Sequence, residues 1–317
     1  MTTTTEHPST ESRFKEAWRD PSLRLQRVLA MVLLICQGGI TVTGSLVRVT
    51  GSGLGCDTWP LCHEGSLVPV AGASPWIHQA IEFGNRTLTF VVAAAAVLVL
   101  LAVIRAGRSK IIRELAWTSL FGVVFQAIVG GISVLLDLRW WSVAVHFLPS
   151  MILVWVAAIL YMRIAESDDE LPTRRFPARA QTWTVIAAVA LCFVLVTGTM
   201  VTGSGPHSGD SGIGMEGRLQ LDTRVLAYVH AICMYLYLIS TLIVTVLLHR
   251  SGAPEDAKRT AWVLIALIVV QWAIGVIQFR MGVPRWTIPV HIGMSSTVVA
   301  FSAFLFAHGK RRLPTLV

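Results

Sequence analysis

Apolar stretches of bilayer-crossing length recur eight times along this chain, and no other feature narrows its fold as much. They centre on residues 28–49, 77–104, 114–136, 142–163, 182–202, 224–249, 260–281 and 286–307. A hydrocarbon layer roughly 30 Å thick takes about 20 residues at 1.5 Å per residue to cross as a helix. No water inside that layer satisfies backbone N–H and C=O groups, so each run must close its hydrogen bonds within itself. Composition agrees, with 54% hydrophobic and only 14% charged residues, where soluble domains carry about a quarter charged. The sequence predicts an all-α integral membrane protein of eight transmembrane helices.

The net charge of +8 raises nucleic acid as a partner, but its distribution excludes that reading. Nineteen of the 26 Lys and Arg fall in the N-terminal tail (Arg13, Lys15, Arg19, Arg24, Arg27), three alternate loops and the C-terminal Lys310, Arg311 and Arg312. Basic residues collect on the cytoplasmic side of spanning proteins, so both termini are placed in the cytoplasm and the chain in the cell (plasma) membrane, with lipid as its solvent. Residues 1–24 read as a disordered cytoplasmic tail, since they are polar and lack the apolar core and cleavage site of a secretory signal. Residues 164–181, with proline and mixed charge, read as a cytoplasmic linker, and 309–317 as a second tail. Between them lie two halves, 25–163 and 182–308.

Those halves repeat. A shift of 145 residues superposes Gln126 on Gln271, Gly130 on Gly275, Trp141 on Trp286, Val145 on Val290 and His146 on His291. Thr43-Gly44 recurs as Thr197-Gly198, and Thr50-Gly51-Ser52-Gly53 as Thr202-Gly203-Ser204-Gly205. An even number of spans gives both halves one orientation, which predicts two tandem four-helix bundles related by a pseudo-twofold axis along the membrane normal. Glycines at 38, 39, 44, 130 and 131 let helices approach closely, a structural use that needs no ligand.

His146, His230 and His291 sit about 5 or 6 residues inside the outer ends of helices 4, 6 and 8, roughly 8 Å deep. The same shift carries His230 onto Asn85, so of four equivalent positions one lacks histidine, and only the second half has a pair. Two imidazoles from separate helices at one depth suit axial ligation of a heme iron; the bland alternative is an interhelical hydrogen bond. Helix 2 carries His78, Glu82 and Asn85 along one face, with Arg86 beside them. Glu82 admits two readings of equal weight: an i,i+4 ion pair with Arg86, or a proton acceptor and electrostatic stabiliser beside a bound substrate.

Cys56 and Cys62 flank Asp57-Thr58-Trp59-Pro60-Leu61 in the first outer loop. An oxidising compartment favours a disulfide there; a metal pair is the alternative, without a second pair to complete a tetrahedral site. Cys36, Cys192 and Cys233 read as packing residues within apolar helices. The glycine-rich stretch 203–222 lacks the order of a phosphate loop. Among the outward arginines, Arg224 and Arg285 are candidates for pairing with heme propionates, with interfacial snorkelling as the alternative.

GSGLGCDTWPLC at 51–62, IEFGNR at 81–86 and histidines in helices 4, 6 and 8 of a duplicated eight-helix chain together resemble the heme A synthase family. The resemblance covers residues 25–308. It implies an oxidoreductase acting on a CH or CH2 group, oxidising the C8 methyl of heme O to the formyl group of heme A for cytochrome oxidase. It implies His230 and His291 as ligands of a permanent heme b in the C-terminal half. In the N-terminal half it implies heme O as substrate near His146, Asn85, Arg86 and His78, with Glu82 as the catalytic carboxylate. The Cys56–Cys62 disulfide would assist heme handling, and a heme O synthase (protoheme farnesyltransferase) would be the partner. Asn85 departs from the family pattern, which commonly has a fourth histidine there, so a five-coordinate substrate heme on His146 is expected. His78, roughly 10 Å along the helix, is too displaced to replace it without shifting the heme. The second half lacks a cysteine pair, so a single disulfide is expected. The alternative function is a diheme b-type electron-transfer cytochrome; a parallel-repeat transporter is a third reading. Electron donor, oxygen source and self-association as a homo-oligomer stay open.

Overall fold

Each apolar run forms one helix, and each helix extends past its run at one end or both. The computed structural model describes residues 19–168, 171–207 and 217–311. Its helices are α1 (Leu23–Val49), α2 (Trp76–Arg105), α3 (Lys110–Leu135), α4 (Trp140–Ile164), α5 (Ala178–Ser204), α6 (Thr223–Arg250), α7 (Glu255–Arg280) and α8 (Thr287–His308). All eight are long and apolar enough to cross a membrane. Of the expected tails and loops, residues 1–18, 169–170, 208–216 and 312–317, including Arg13, Lys15 and Arg312, lie outside the described residues.

The helix ends follow from local chemistry. The Ser22 hydroxyl accepts from the Leu25 N–H at the start of α1, and Asp222 accepts from the Arg224 and Val225 N–H groups at the start of α6, filling donors that have no intrahelical partner. Pro75, Pro177 and Pro254 precede α2, α5 and α7. At the ends of α2 and α6 the chain turns on Gly107 (φ +61°) and Gly252 (φ +65°), where a residue without Cβ takes the left-handed conformation at low cost. These two glycines are 145 residues apart. The turns after α3 and α7 match at the same offset: Asp137 and Leu138 (φ 52° each) correspond to Gly282 (φ 73°) and Val283 (φ 59°).

Within each half the helices contact in a ring, α1–α2–α3–α4 and α5–α6–α7–α8. The halves meet through α4 against α8, α1 against α8 and α4 against α5. Small and hydroxyl side chains line that seam: the Thr41 and Ser296 hydroxyls lie 2.9 Å apart, and a Cβ on Gly293 would sit 3.2 Å from Val42. Such residues bring backbones close where lipid gives no hydrophobic drive to helix association. The outer surface is the reverse of a soluble protein's. Phe90 exposes 76% of its surface and Ile35, Phe121 and Ile152 are similarly bare, an apolar belt that monomeric soluble proteins do not present. Cys192 belongs to this belt, exposed on α5, so it faces outward rather than packing as the sequence suggested; Cys36 and Cys233 are half-buried.

The linker does more than connect. Thr173–Arg174 (β1) pairs antiparallel with Lys310–Arg311 (β2), tying it to the chain beyond α8. Around this ribbon Arg163 and Arg311 reach Glu166, and Arg175 and Arg311 reach Asp256. Arg108 bonds Asp168, the Glu166 carbonyl and Gln26.

Candidate functional site

Between the end of α1 and the start of α2 the connecting loop folds back onto its own bundle. Cys56 and Cys62 form the expected disulfide, both fully buried, and the loop is held from below by helix 2. Glu82, 4% exposed, accepts from the Cys56 N–H (2.7 Å) through one oxygen and from Arg86 (2.6 and 3.2 Å) through the other. Arg86 also donates to the Leu61 and Cys56 carbonyls at 3.0 Å. The i,i+4 ion pair therefore exists, and it spans the disulfide ring as a clamp. The Trp59 ring covers Gly131 of α3 so closely that a Cβ there would fall 2.2 Å from it. Gly55 passes just as near the His78 backbone, 2.4 Å from where its Cβ would be.

His78, Glu82 and Asn85 do share one face of α2, directed at the loop and α1. The His78 Nδ1 bonds the Ser52 hydroxyl at 2.8 Å, and Asn85 Oδ1 accepts from Thr43 of α1 at 2.7 Å. Sequence reasoning passed over two residues here: buried His63 bridges Asp57 (3.0 Å) and Gln79 (2.9 Å), and Gln79 in turn bonds the Val70 and Ser74 carbonyls. Nothing in their spacing marks them, because the contacts arise only once the loop has folded.

The three histidines lie near the N-terminal ends of their helices, six residues into α4 (Trp140 to His146), seven into α6 (Thr223 to His230) and four into α8 (Thr287 to His291). Each imidazole lies over a glycine of the preceding helix. A Cβ would meet the ring of His146 at 3.0 Å from Gly130, of His230 at 3.2 Å from Gly198, and of His291 at 3.4 Å from Gly275. The glycines that a packing argument would explain as helix-approach residues are here cradles for imidazoles. His230 Nδ1 is 3.1 Å from the Thr197 hydroxyl, whose own proton goes to the Phe193 carbonyl at 2.7 Å. With its single proton spent, that hydroxyl accepts from Nδ1–H, which leaves the other ring nitrogen of His230 with a free lone pair.

The His230 and His291 ring centres are 6.5 Å apart. Two metal–nitrogen bonds of about 2 Å, with about 1 Å from each nitrogen to its ring centre, span roughly 6 Å, so the pair fits a single metal between its rings. Among the described residues no three His, Cys, Asp or Glu side chains gather that could hold a bare metal ion. An iron whose equatorial positions are filled by a porphyrin needs only these two. Buried nitrogens without protein partners remain at Nδ1 of His146 and His291. Gln271 donates to the His291 carbonyl and the Ser295 hydroxyl, whereas neither amide atom of its counterpart Gln126 is partnered. Arg224 and Arg285 are exposed near the outer ends of α6 and α8. Arg48, at the end of α1, reaches across to the His207 and Thr202 carbonyls of the second half.

Comparison with known proteins agrees with this geometry. The sequence profile of a family described as cytochrome oxidase assembly protein matches residues 27–208. A heme A synthase of Bacillus licheniformis is 26% identical over 266 residues, 78% of this chain and 84% of that protein. One from Listeria monocytogenes serovar 1/2a is 25% identical over 288 residues, 88% and 93% of the two chains. One from Staphylococcus saprophyticus is 31% identical over 187 residues, a match spanning 57% of this chain and 59% of that relative. None of these likenesses favours the electron-transfer cytochrome. With eight helices long and apolar enough to cross a membrane and a profile match over more than half its length, the chain belongs to the heme A synthase family of cytochrome oxidase assembly proteins.

Proposed function

We propose that this protein oxidises the C8 methyl of heme O to the formyl group of heme A, as an oxidoreductase acting on a CH or CH2 group. The observation that carries the reading is the His230–His291 pair, with rings 6.5 Å apart and each seated on a glycine. In this reading the pair holds a permanent heme b, and His146 receives heme O in the other half. What the bound hemes supply is redox capacity and the methyl group itself; the chain holds, orients and shields them. Thr197 fixes the tautomer of His230, the usual task of a partner to a metal-bound imidazole. Arg224 and Arg285, both exposed, would pair with propionates in this reading, as guanidinium groups suit carboxylates.

Glu82 acts as the catalytic carboxylate. Its oxygens accept from the Cys56 N–H and from Arg86, with the Gly55 backbone as a further donor. It is therefore held in one orientation at the loop, where a bound substrate would meet it. Because the same contacts hold the disulfide loop, that loop reports on the carboxylate and suits the handling of heme passed from a heme O synthase. The matched turns and ring contacts of the two halves support a pseudo-twofold axis along the membrane normal, and the clustering of basic residues supports cytoplasmic termini in the plasma membrane.

Co-expression with a heme O synthase, followed by extraction and chromatography of hemes, tests the reading. Heme A should appear with the native chain. Glu82→Ala should leave heme O unconverted with heme b still bound, and His230→Ala or His291→Ala should remove the heme b spectrum. Unconverted heme O with the native chain, or an unchanged spectrum after both histidine replacements, overturns it.

A further inference from the structure

Three of the four equivalent positions in the two halves carry an imidazole lying on a glycine; the fourth does not. Asn85 takes the place of His230, as the threonine bonds show: Thr197 meets His230 and its counterpart Thr43 meets Asn85. The counterpart of Gly198 is Gly44, and beyond its chain neighbours and its own helix backbone nothing lies within 4 Å of where a Cβ on Gly44 would be. The space that an imidazole fills in the second half is open in the first. Asn85 is not loose in that space. Its Oδ1 is fixed by Thr43 at 2.7 Å, and its amide nitrogen has no partner among the described residues, so two N–H groups remain to donate.

Resting on the reading of His146 as the ligand of a heme in the N-terminal half, we propose that Asn85 forms a binding site for a neutral diatomic ligand on the far side of that iron. Thr43 orients the asparagine so that its amide N–H donates to the ligand. An asparagine is too short to reach a metal that a histidine from the same position would ligate, and the hollow beside it takes a small molecule instead. Distal donors and steric access are what decide whether a heme iron holds such a ligand. The second half, with both axial positions occupied by His230 and His291, is closed to it. The difference between the halves is thus one of coordination: one iron saturated by protein, the other with a face reserved for an exogenous ligand.

Carbon monoxide is the probe. The full-length protein, loaded with both hemes by co-expression with a heme O synthase, is reduced and titrated, with the absorption spectrum and the C–O stretching frequency as readouts. The native chain should bind a single carbon monoxide, on the heme lost in His146→Ala. Asn85→His should abolish that binding and turn the heme low-spin, with the His230–His291 heme spectrum unchanged as the check on folding. Asn85→Leu should keep the binding but release carbon monoxide about fivefold faster and raise the stretching frequency, as expected for loss of one hydrogen bond. A heme-loaded native chain whose His146 heme is six-coordinate and takes no carbon monoxide overturns this proposal alone. Release from Asn85→Leu at the native rate overturns the donor role. Absence of any second heme in the native chain overturns both the proposal and the reading beneath it.

Discussion

An imidazole in lipid can serve as a ligand or as a hydrogen-bonding spacer according to which of its nitrogens is already engaged, and at His230 the engaged nitrogen is Nδ1, beside Thr197. The threonine hydroxyl bonds Nδ1 and has no second proton to give. Replacing it with valine keeps the shape and removes the acceptor. Partners of this kind change metal affinity by about 10- to 100-fold, so Thr197→Val should transfer heme b to an excess of apo-globin about tenfold faster than the native protein, with heme content at purification little altered. An unchanged transfer rate would mean that the bond does not orient the ring. The histidines themselves were legible from sequence because a shift of 145 residues is a one-dimensional comparison. Thr197 and the glycines also recur between the halves, but their contacts with the rings were not legible. They depend on how α5 is rotated against α6, and a helix with apolar residues on both its buried and lipid-facing sides carries little periodicity from which to read rotation.

At the scale of one element, the α1–α2 loop shows how much of a site lies outside helices. Its disulfide follows from cysteine spacing and compartment; its docking does not, because Cys56 to Glu82, Leu61 to Arg86 and Trp59 to Gly131 are tertiary contacts with no sequence signature. Of the two readings that sequence weighed equally at Glu82, the ion pair with Arg86 is present in the structure; the catalytic role is the proposal made above. Gly131→Ala puts a methyl group 2.2 Å from the Trp59 indole, and a ring cannot yield as a flexible chain does. The loop should lift from α3 while Glu82 and Arg86 stay in place. After mild reduction, maleimide labelling of Cys56 and Cys62, both buried in the native protein, should run several-fold faster in the variant; equal labelling would show that the indole does not seat the loop.

For the molecule as a whole, ties between the halves among the described residues include, besides the α1–α4–α8 seam, Arg48 at one end of the bundles and the charged ribbon at the other. Asp168, on the linker that carries β1, bonds Arg108 and Ser109 of the first half. Burial pushes its carboxyl up, but Ser109 and the Arg108 guanidinium outweigh that and hold it below the usual carboxylate value. A lowered value means stabilisation that is complete above the unfolded value of about 4 and fades as pH falls through the folded one. Asp168→Asn should therefore cost about 1 kcal/mol at neutral pH, the scale of a part-exposed pair. Thermal midpoints of variant and native protein in detergent should converge as pH drops below about 4. A constant gap would assign the effect to shape instead of charge. The division at residues 164–181 was readable from proline and charge, whereas the pairing of Thr173–Arg174 with Lys310–Arg311 was not, since segments of two residues carry no strand pattern. That pairing has a topological consequence. The polypeptide leaves β1, threads four membrane crossings and returns to β2 beside its point of departure, so the second bundle is a closed circuit whose entrance and exit are neighbours. Expressed as a separate chain from β1 to β2, that bundle would have its two ends side by side, so they could be joined and new ones opened in the turn between α7 and α8 without re-routing a single helix, the geometry that circular permutation requires.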